Sequence, residues 1–383
     1  MKVVAAPDSF KESMTAAEAA RAMARGVARA LPGAECVEIP MADGGEGTAE
    51  VLAAALAARW VEAPVPGPLG QPVRARYALA GDGLAVMDAA SAIGLALVPA
   101  SQRDPLAASS RGLGALIRHA LDQGARRCVI GLGGSATSDG GAGMLAELGA
   151  VTLDAAGAPL EAVPAALGRL DRVDLAGLDP RLAGADIQVA RDVANPLLGP
   201  NGAARVFGPQ KGASPAAIAV IEVGLERWAG LLGKSRHGAP DLASQPGAGA
   251  AGGLGFALLW LGARLIRGAR LVAEAVQLPS HMAGADLVLT GEGSLDAQTM
   301  SGKAPLGVAE AAKRLGVPVI AFAGRLSADP AALARAGFAA AFPIIPGPMD
   351  LAAALAAGAQ NLERAVESAL RVLALGQGQA TGR

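Results

Sequence analysis

Five short segments of the sequence combine carboxylates with glycines, hydroxyls or amides, and each follows an apolar run that predicts a strand. They are DSFKES (residues 8–13), ADGGEGT (42–48), GGSATSDGG (133–141), RDVANPL (191–197) and TGEGSLD (290–296). Glycines let a backbone approach a polyanion and direct N–H groups at it, while Asp and Glu bind Mg²⁺ or accept a proton. One such segment alone is typical of a turn or a helix cap. Five of them at the carboxyl ends of strands indicate a shared ligand site.

Lysine is rare in this chain, with only six lysines among the 33 basic residues. Three of the six, Lys11, Lys211 and Lys303, lie in the loop sequences SFKES, PQKGAS and SGKAP. An ammonium group in such a loop or at a helix start is typical of a phosphate contact, whereas the other three lysines have the context of ordinary solvated charges. The residues therefore predict a polyanionic ligand, a divalent metal and a base, which are the requirements of phosphoryl transfer.

Other chemistries leave weaker signals. A P-loop is absent, because neither Gly-Lys pair has the first glycine of that motif at the required spacing. Gly131, Gly133 and Ala136 match G-x-G-x-x-A, so an NAD(P)-dependent oxidoreductase of a small hydroxy acid is the alternative. The three histidines are not spaced as zinc ligands, and no G-x-S-x-G motif indicates a serine hydrolase.

The length of 383 residues predicts about two domains. A formal net charge of −1 gives no excess positive field for nucleic acid, and arginines interrupt the most apolar windows, so neither a nucleic-acid nor a membrane partner is expected. The N-terminus does not resemble a signal peptide. Two widely separated cysteines, Cys36 and Cys128, fit small buried hydrophobes in a reducing cytoplasm.

The order of elements favours an α/β protein. Thr15 and Glu18 form a capping box that begins a helix, and prolines with a Gly-Asp-Gly turn predict β-hairpins within 61–90. Elsewhere short strands alternate with helices. We therefore expect a doubly wound, mainly parallel Rossmann-like sheet domain plus a second α/β domain. The expected boundaries are 1–60 with 100–155 and 282–383 for the first domain, and 61–99 with 156–281 for the second.

The motifs resemble, in order and over nearly the whole chain, those of the bacterial type I glycerate kinase family. They are APDSFKES, MADGGEGT, GLGGSATSDGGAGM, ARDVANPLLGPNGAARVFGPQKGAS, GAGAAGGLG and LTGEGSLDAQTMSGKAPLGVA. The resemblance implies ATP- and Mg²⁺-dependent phosphorylation of D-glycerate, generally to 2-phosphoglycerate, with the site in the cleft between two domains. The residues alone leave a 3-phosphoglycerate product open, and they also leave open whether the enzyme is a monomer or a homodimer.

The site residues are predicted from the loop chemistry and this resemblance together. We expect catalytic roles for Lys11, Asp43, Asp192 and Lys211. Substrate or phosphate binding is expected from Asp8, Ser9, Gly44, Gly45, Gly134, Ser135, Asn195, Glu292 and Lys303. Asp192 and Asp296 are the candidate Mg²⁺ ligands, and base and metal ligand are not separated by sequence. The chain departs from the family pattern at Ser294, where many relatives have Arg, and at Ala115, where an acidic residue is common.

Overall fold

The computed structural model describes residues 1–45, 47–235, 241–296, 299 and 302–380. These residues form two compact units. Unit 1 comprises Met1–Asp43 with Gly268–Arg383, and unit 2 comprises Gly44–Arg267. The predicted class, α/β with mainly parallel sheets, is confirmed.

The strands are numbered in chain order. They are β1 (Lys2–Ala5), β2 (Glu35–Glu38), β3 (Arg59–Pro66), β4 (Pro72–Leu79), β5 (Leu84–Asp88), β6 (Arg127–Gly131), β7 (Val151–Leu153), β8 (Arg172–Asp174), β9 (Asp186–Arg191), β10 (Arg264–Arg267), β11 (Leu287–Leu295), β12 (Val319–Leu326) and β13 (Phe338–Pro343).

The α-helices are numbered in the same way. They are α1 (Ala16–Ala30), α2 (Thr48–Ala55), α3 (Ala90–Ile93), α4 (Arg111–Asp122), α5 (Ala142–Glu147), α6 (Pro164–Leu167), α7 (Ala203–Phe207), α8 (Pro215–Lys234), α9 (Ala250–Trp260), α10 (Gly268–Ala275), α11 (Leu278–Met282), α12 (Ala304–Leu315), α13 (Pro330–Ala336), α14 (Leu351–Ala356) and α15 (Gly358–Ala380). None of the helices in the described ranges has the length and apolar character that a membrane span requires.

Unit 1 contains a five-stranded parallel sheet in the order β13-β12-β11-β1-β2. Counted within the unit, this is the doubly wound order 2-1-3-4-5, which reverses between its first and third strands. Those strands are β1 and β11, and ligands of doubly wound sheets bind outside the carboxyl ends of strands at such a reversal. The topology therefore marks the ends of β1 and β11 as the place to look for a ligand site in unit 1.

Helix α1 shows how local sequence and packing agree in unit 1. Thr15 accepts a hydrogen bond from the Glu18 N–H and Glu18 accepts one from the Thr15 N–H, so the predicted capping box is present. The buried face of the helix includes Met23 and Val27, which belong to one core with Phe322 and Leu362. Burying this apolar stripe against the sheet and α15 supplies most of the helix's stability.

Unit 2 contains a six-stranded sheet in the order β10-β9-β6-β5-β4-β3. The hairpin strands β3 and β4 are antiparallel, as the sequence predicted for 61–90. Strand β4 is also antiparallel to β5, whereas β5, β6, β9 and β10 are parallel to one another. A separate pair, β7 and β8, is antiparallel. The core of this unit includes Trp228, Tyr77 and Phe256, which are almost completely buried.

The unit boundaries differ from the predicted ones. Residues 44–60 and 100–155 belong to unit 2, and 268–281 belong to unit 1. The reason is strand pairing: β6, which was expected in the first domain, lies between β5 and β9, with Val129 opposite Val86 and Gln188. The hairpin strands thus extend the same sheet that contains β6, and β3 of that hairpin begins at Arg59, soon after α2 ends at Ala55.

Candidate active site

Asp8 and Glu292 lie at the strand-order reversal of unit 1. Asp8 follows β1, and its N–H donates to the Gly291 carbonyl of β11 at 2.9 Å. Glu292 is the next residue of β11, which continues to Leu295 because it remains paired with β12 through Leu326. Residues 290–295 are therefore strand, although the sequence predicted a loop there. The backbone pairing places both carboxylates at the edge where a doubly wound sheet binds ligands.

Three predicted site carboxylates influence one another in unit 1. Asp8 is 6% exposed and accepts a hydrogen bond from the Ser9 N–H at 2.6 Å. Burial raises the pKa of Asp8 well above its usual range, the charges of Asp43 and Glu292 raise it further, and the Ser9 N–H and Lys303 oppose the shift. A carboxyl whose pKa is raised in this way is suited to accept a proton near neutral pH.

Glu292 connects this group to Lys303 at the start of α12. Its two carboxylate oxygens accept hydrogen bonds from the Thr299 hydroxyl at 2.5 Å and from the Lys303 ammonium at 3.4 Å. Burial raises the pKa of Glu292, against the hydrogen bonds and charge of these two neighbours. Partial burial alone would lower the pKa of Lys303, but the Glu292 and Asp43 carboxylates together raise it. Lys303 therefore remains charged beside two carboxylates.

Lys11 is exposed in the turn between Phe10 and Met14. A Cβ added at Gly293 would lie 3.3 Å from the Lys11 backbone nitrogen, so a glycine in β11 lets this turn approach the strand. Phe10 is buried in the unit 1 core and anchors the turn. Asp296, one of the predicted metal ligands, accepts a hydrogen bond from the Ser294 hydroxyl at 3.3 Å. Unit 1 thus brings Asp8, Ser9, Asp43, Glu292 and Lys303 together.

Lys211 has a different environment in unit 2. It is 3% exposed, and its ammonium donates to the Thr137 carbonyl at 2.5 Å and to the Ser135 hydroxyl at 3.3 Å. Burial lowers the pKa of Lys211 to about 8, against the opposing charge of Asp139. The sequence predicted a phosphate-binding lysine at this position. In the structure, Lys211 holds the glycine-rich segment that follows β6.

Asp139 organises the same segment and was not among the predicted site residues. It is completely buried and accepts hydrogen bonds from the N–H groups of Ser110, Gly141 and Gly143 and from the Ser110 hydroxyl. Burial raises the pKa of Asp139, and these four hydrogen bonds oppose the rise. The carboxylate joins the starts of α4 and α5. Its position in GGSATSDGG was visible in the sequence, but its partner Ser110 lies 29 residues away.

The other predicted residues of unit 2 lie at several places. Gly134 has a positive φ of 74°, and its carbonyl accepts a hydrogen bond from the Leu95 N–H at 2.7 Å. Asn195 donates from its side chain to the Asn201 carbonyl at 2.8 Å. Asp192 is exposed just after β9. Gly44, with φ of 99°, and Gly45 begin the unit.

Within the described residues, no group of three or more His, Cys, Asp or Glu side chains is placed to hold a metal ion. His237 and Glu46 lie outside the described residues, as do residues 297–298 and 300–301 of the motif LTGEGSLDAQTMSGKAPLGVA. Mg²⁺ bound with a nucleotide usually keeps several waters and takes only one or two protein carboxylates in addition to phosphate oxygens. The mutual repulsion of Asp8, Asp43 and Glu292 is a setting that a cation would relieve.

The parallel sheet of unit 1, with the Asp8 and Glu292 carboxylates and the charged Lys303 at its strand-order reversal, defines an enzyme that acts on anionic small molecules. The model of the glycerate kinase family matches residues 3–374. The chain belongs to this family, as its motifs indicated.

Two curated relatives and one solved structure extend the comparison. A glycerate kinase of Bacillus subtilis (strain 168) is 48% identical over 366 residues, covering 95% of each chain. A glycerate 2-kinase of Escherichia coli (strain K12) is 46% identical over 382 residues, covering 99% of this chain and 100% of the relative. A crystal structure assigned to glycerate kinase 2 of Salmonella typhimurium LT2 superimposes with a TM-score of 0.85 at 46% identity, covering 99% of both chains.

Proposed function

We propose that the protein transfers the γ-phosphoryl group of ATP to D-glycerate, giving 2-phosphoglycerate and ADP. The observation that carries this proposal is membership of the glycerate kinase family across residues 3–374. The 2-phosphate is preferred because the relative from Escherichia coli is named a glycerate 2-kinase. The buried charges at the strand-order reversal of unit 1 supply chemistry that this reaction needs.

Asp8 is the proposed proton acceptor in unit 1. Its raised pKa suits a group that takes the proton of a substrate hydroxyl as the phosphoryl group arrives. Asp43 and Asp192 stay candidates for orienting the hydroxyl or binding metal. Lys303, held charged by Glu292, and the exposed Lys11 would stabilise negative charge on the transferred group.

In unit 2 we assign a positioning role to Lys211. Its contacts with Thr137 and Ser135 hold the segment that contains Gly134, whose backbone conformation suits approach to an anion. Ser9, Gly44, Gly45 and Asn195 stay proposed substrate or phosphate contacts.

Mg²⁺ is proposed to accompany ATP. When bound, it would neutralise charge on the β- and γ-phosphates. Asp192 and Asp296 are the candidate ligands, and the Asp43 carboxylate, which repels that of Asp8, is a further donor of the oxygen type that Mg²⁺ prefers.

A coupled assay of ADP release with D-glycerate, ATP and Mg²⁺ tests the function, and phosphorus NMR identifies the product. We expect ADP and 2-phosphoglycerate in equal amounts. A 3-phosphoglycerate product would correct the position of transfer, and no ADP release would contradict the kinase proposal. An NAD(P)H absorbance change with hydroxypyruvate would instead support the oxidoreductase. That alternative is not favoured, because the family match includes the segment from Gly131 to Ala136.

We further propose that the enzyme is cytoplasmic, acts on these two small molecules without nucleic acid or membrane, and is a monomer or a homodimer. Fractionation of the source cells tests the location, and light scattering of the purified protein tests the oligomeric state.

A further inference from the structure

Arg325 lies near the carboxyl end of β12, beside the strand that contains Glu292. It is the register partner of Ser294 in the parallel pair of β11 and β12. The same register places Glu292 opposite Ala323, so the two pairs follow one another along the strands. Side chains two residues apart on a strand, and those of register partners on parallel neighbours, project to the same face. Arg325 and Glu292 therefore share one face of the unit 1 sheet, at the edge where doubly wound sheets bind ligands.

The backbone at Arg325 is fixed against β11. Just beyond the end of β12, the Leu295 carbonyl accepts hydrogen bonds from the Ser327 N–H at 2.9 Å and from the Ala328 N–H at 3.0 Å. On the other side, the pairing of β12 with β13 ends at Ala323. Arg325 thus projects from a well-supported piece of strand. A side chain mounted on such an element is positioned more precisely than one on a loop.

The charge of Arg325 is not balanced by an ion pair. Its side chain is exposed, and no carboxylate of the described residues lies within 4.0 Å of its guanidinium. By contrast, Arg335 pairs with Asp329 at 3.8 Å. Lys303, the cation that contacts Glu292 on the same face, is already paired with that carboxylate at 3.4 Å. Arg325 can therefore bind an anion without breaking an existing ion pair.

The strand order indicates which anion lies near Arg325. Asp8, the proposed proton acceptor, follows β1 and donates from its N–H to the Gly291 carbonyl of β11, whereas Arg325 is on β12. Neighbouring strands are about 4.8 Å apart, so β1 and β12 are separated by about 10 Å. A three-carbon acid with its hydroxyl at Asp8 is shorter than this separation, but the phosphate chain of the donor extends away from that hydroxyl. The position of Arg325 therefore suits the phosphate donor better than the acceptor.

We propose that Arg325 binds the polyphosphate of ATP, with Lys303 beside it on the same face. This inference rests on the proposed function and deepens it by naming a contact on the donor side. A planar guanidinium donates two parallel hydrogen bonds to phosphate oxygens, whereas an ammonium acts as a point charge. Both side chains belong to unit 1, as does Glu292.

The variants Arg325→Ser and Arg325→Lys test this contact, with Arg314→Ser as the matched control. Arg314 is also exposed, but it lies in the last turn of α12, at the end of that helix opposite Lys303. We expect Arg325→Ser to raise KM for ATP roughly 10- to 30-fold, the usual effect of losing a charge-assisted hydrogen bond, with KM for D-glycerate within about twofold. Arg325→Lys should have a smaller effect, because it keeps the charge and loses the planar geometry. Arg314→Ser should match the wild type.

Moving the guanidinium to the neighbouring strand separates ligand binding from general damage. Ser294 and Arg325 are register partners, so an arginine introduced at position 294 would start about 4.8 Å away on the same face. The double variant Ser294→Arg with Arg325→Ser should bring KM for ATP back to within about threefold of the wild type. A double variant with a KM as high as that of Arg325→Ser would overturn the proposal. An unchanged KM for ATP in Arg325→Ser, or a rise in KM for glycerate alone, would also overturn it.

Calorimetric titration with a non-hydrolysable ATP analogue and Mg²⁺ gives a readout that does not depend on turnover. We expect Arg325→Ser to bind the analogue more weakly by a factor similar to the change in KM, and Arg314→Ser to bind it like the wild type. Equal affinities of Arg325→Ser and the wild type would overturn the contact even if glycerate is phosphorylated. A wild type that binds the analogue but does not phosphorylate glycerate would contradict the proposed function and leave this titration to decide the role of Arg325.

Discussion

The Asp139 carboxylate accepts hydrogen bonds from both the backbone N–H and the hydroxyl of Ser110, at 2.7 and 2.8 Å. The same hydroxyl accepts from the Met144 N–H at 2.8 Å, so the pair links the start of α4 to α5 through fully buried atoms. The glycine-rich segment after β6 is therefore fixed by an internal polar network. Because such networks lose more than the sum of single contacts when one member is changed, they offer clear tests.

Replacing Asp139 by Asn should destabilise the protein. The amide keeps the shape, but its NH₂ group would face backbone N–H donors inside a buried site. We expect a loss of about 2–4 kcal/mol in the free energy of unfolding, measured by urea denaturation. Asp154→Asn is the matched control, because Asp154 also accepts two backbone hydrogen bonds, from Ala156 and Ala158, but lies in an exposed turn. Equal losses in the two variants would contradict the assigned role of the buried network.

The Lys211 amine should make stability depend on pH. Its pKa is about 8 in the folded protein against an ordinary value of 10.5. Between these values the unfolded state binds more protons than the folded state, so stability rises with pH across the window, and below pH 8 the burial cost is fully present.

Lys211→Met removes this group, so the free energy of unfolding of the wild type relative to that variant should rise by about 3 kcal/mol from pH 8 to 10.5. Urea denaturation at several pH values measures the difference. Lys234→Met, which removes an exposed ammonium, should show no such change. A difference for Lys211→Met that does not vary with pH would contradict the buried-amine interpretation.

Asp8→Asn should separate stability from activity. The folded protein holds a proton on Asp8 more tightly than the unfolded chain does, so the stabilising contribution is lost as the pH rises through the raised pKa. The amide does not ionise and still accepts from the Ser9 N–H. At neutral pH the variant should therefore be about 0.5–2 kcal/mol more stable than the wild type. Its kcat/KM should fall at least about 100-fold if Asp8 accepts the substrate proton. Wild-type activity in a correctly folded variant would remove Asp8 from the mechanism.

Lys11→Ala should affect catalysis without affecting folding, because the side chain is exposed. If its ammonium stabilises charge on the transferred phosphoryl group, kcat/KM for glycerate should fall by at least about two orders of magnitude. The thermal midpoint should stay near that of the wild type. A kcat/KM near the wild-type value would contradict the role assigned to Lys11, and Lys313→Ala provides a comparison with another exposed lysine of unit 1.

The start of α9 contains three consecutive residues with positive φ, at Ala251, Gly252 and Gly253. A Cβ at Gly252 would lie 1.9 Å from the Thr137 carbonyl oxygen, while the Gly252 carbonyl accepts from the Gly140 N–H. Gly252→Ala should therefore cost at least about 2 kcal/mol, because a backbone clash adds to left-handed strain.

Ala251→Gly relieves the same kind of strain, since Ala251 has φ of 52°. We expect that variant to be as stable as the wild type or up to about 1 kcal/mol more stable, because glycine offsets part of the gain through unfolded-chain entropy. Chemical denaturation of both proteins measures the contrast. Similar effects of the two changes would mean that this turn does not constrain the segment after β6.

Several features were readable from sequence because they depend on neighbours along the chain. The capping box of Thr15 and Glu18 joins residues three apart, and apolar runs such as residues 2–5 formed the predicted strands. The hairpin within 61–90 followed from turn residues between alternating runs. The family motifs likewise identified Lys11, Lys211 and Lys303 as residues to examine.

Only the tertiary structure decided which of these lysines is buried and which strand joins which sheet. Lys211 differs from Lys11 because it donates to the Thr137 carbonyl, 74 residues away, inside a core that removes water from its charge. Strand β6 belongs to unit 2 because it pairs with β5 and β9. The juxtaposition of Ser294 and Arg325 arises in the same way, from two strands that have a helix between them in sequence. Sequence determines the local preferences and the available chemical groups, whereas pKa values and ligand geometry depend on long-range contacts that exist only after the chain has packed.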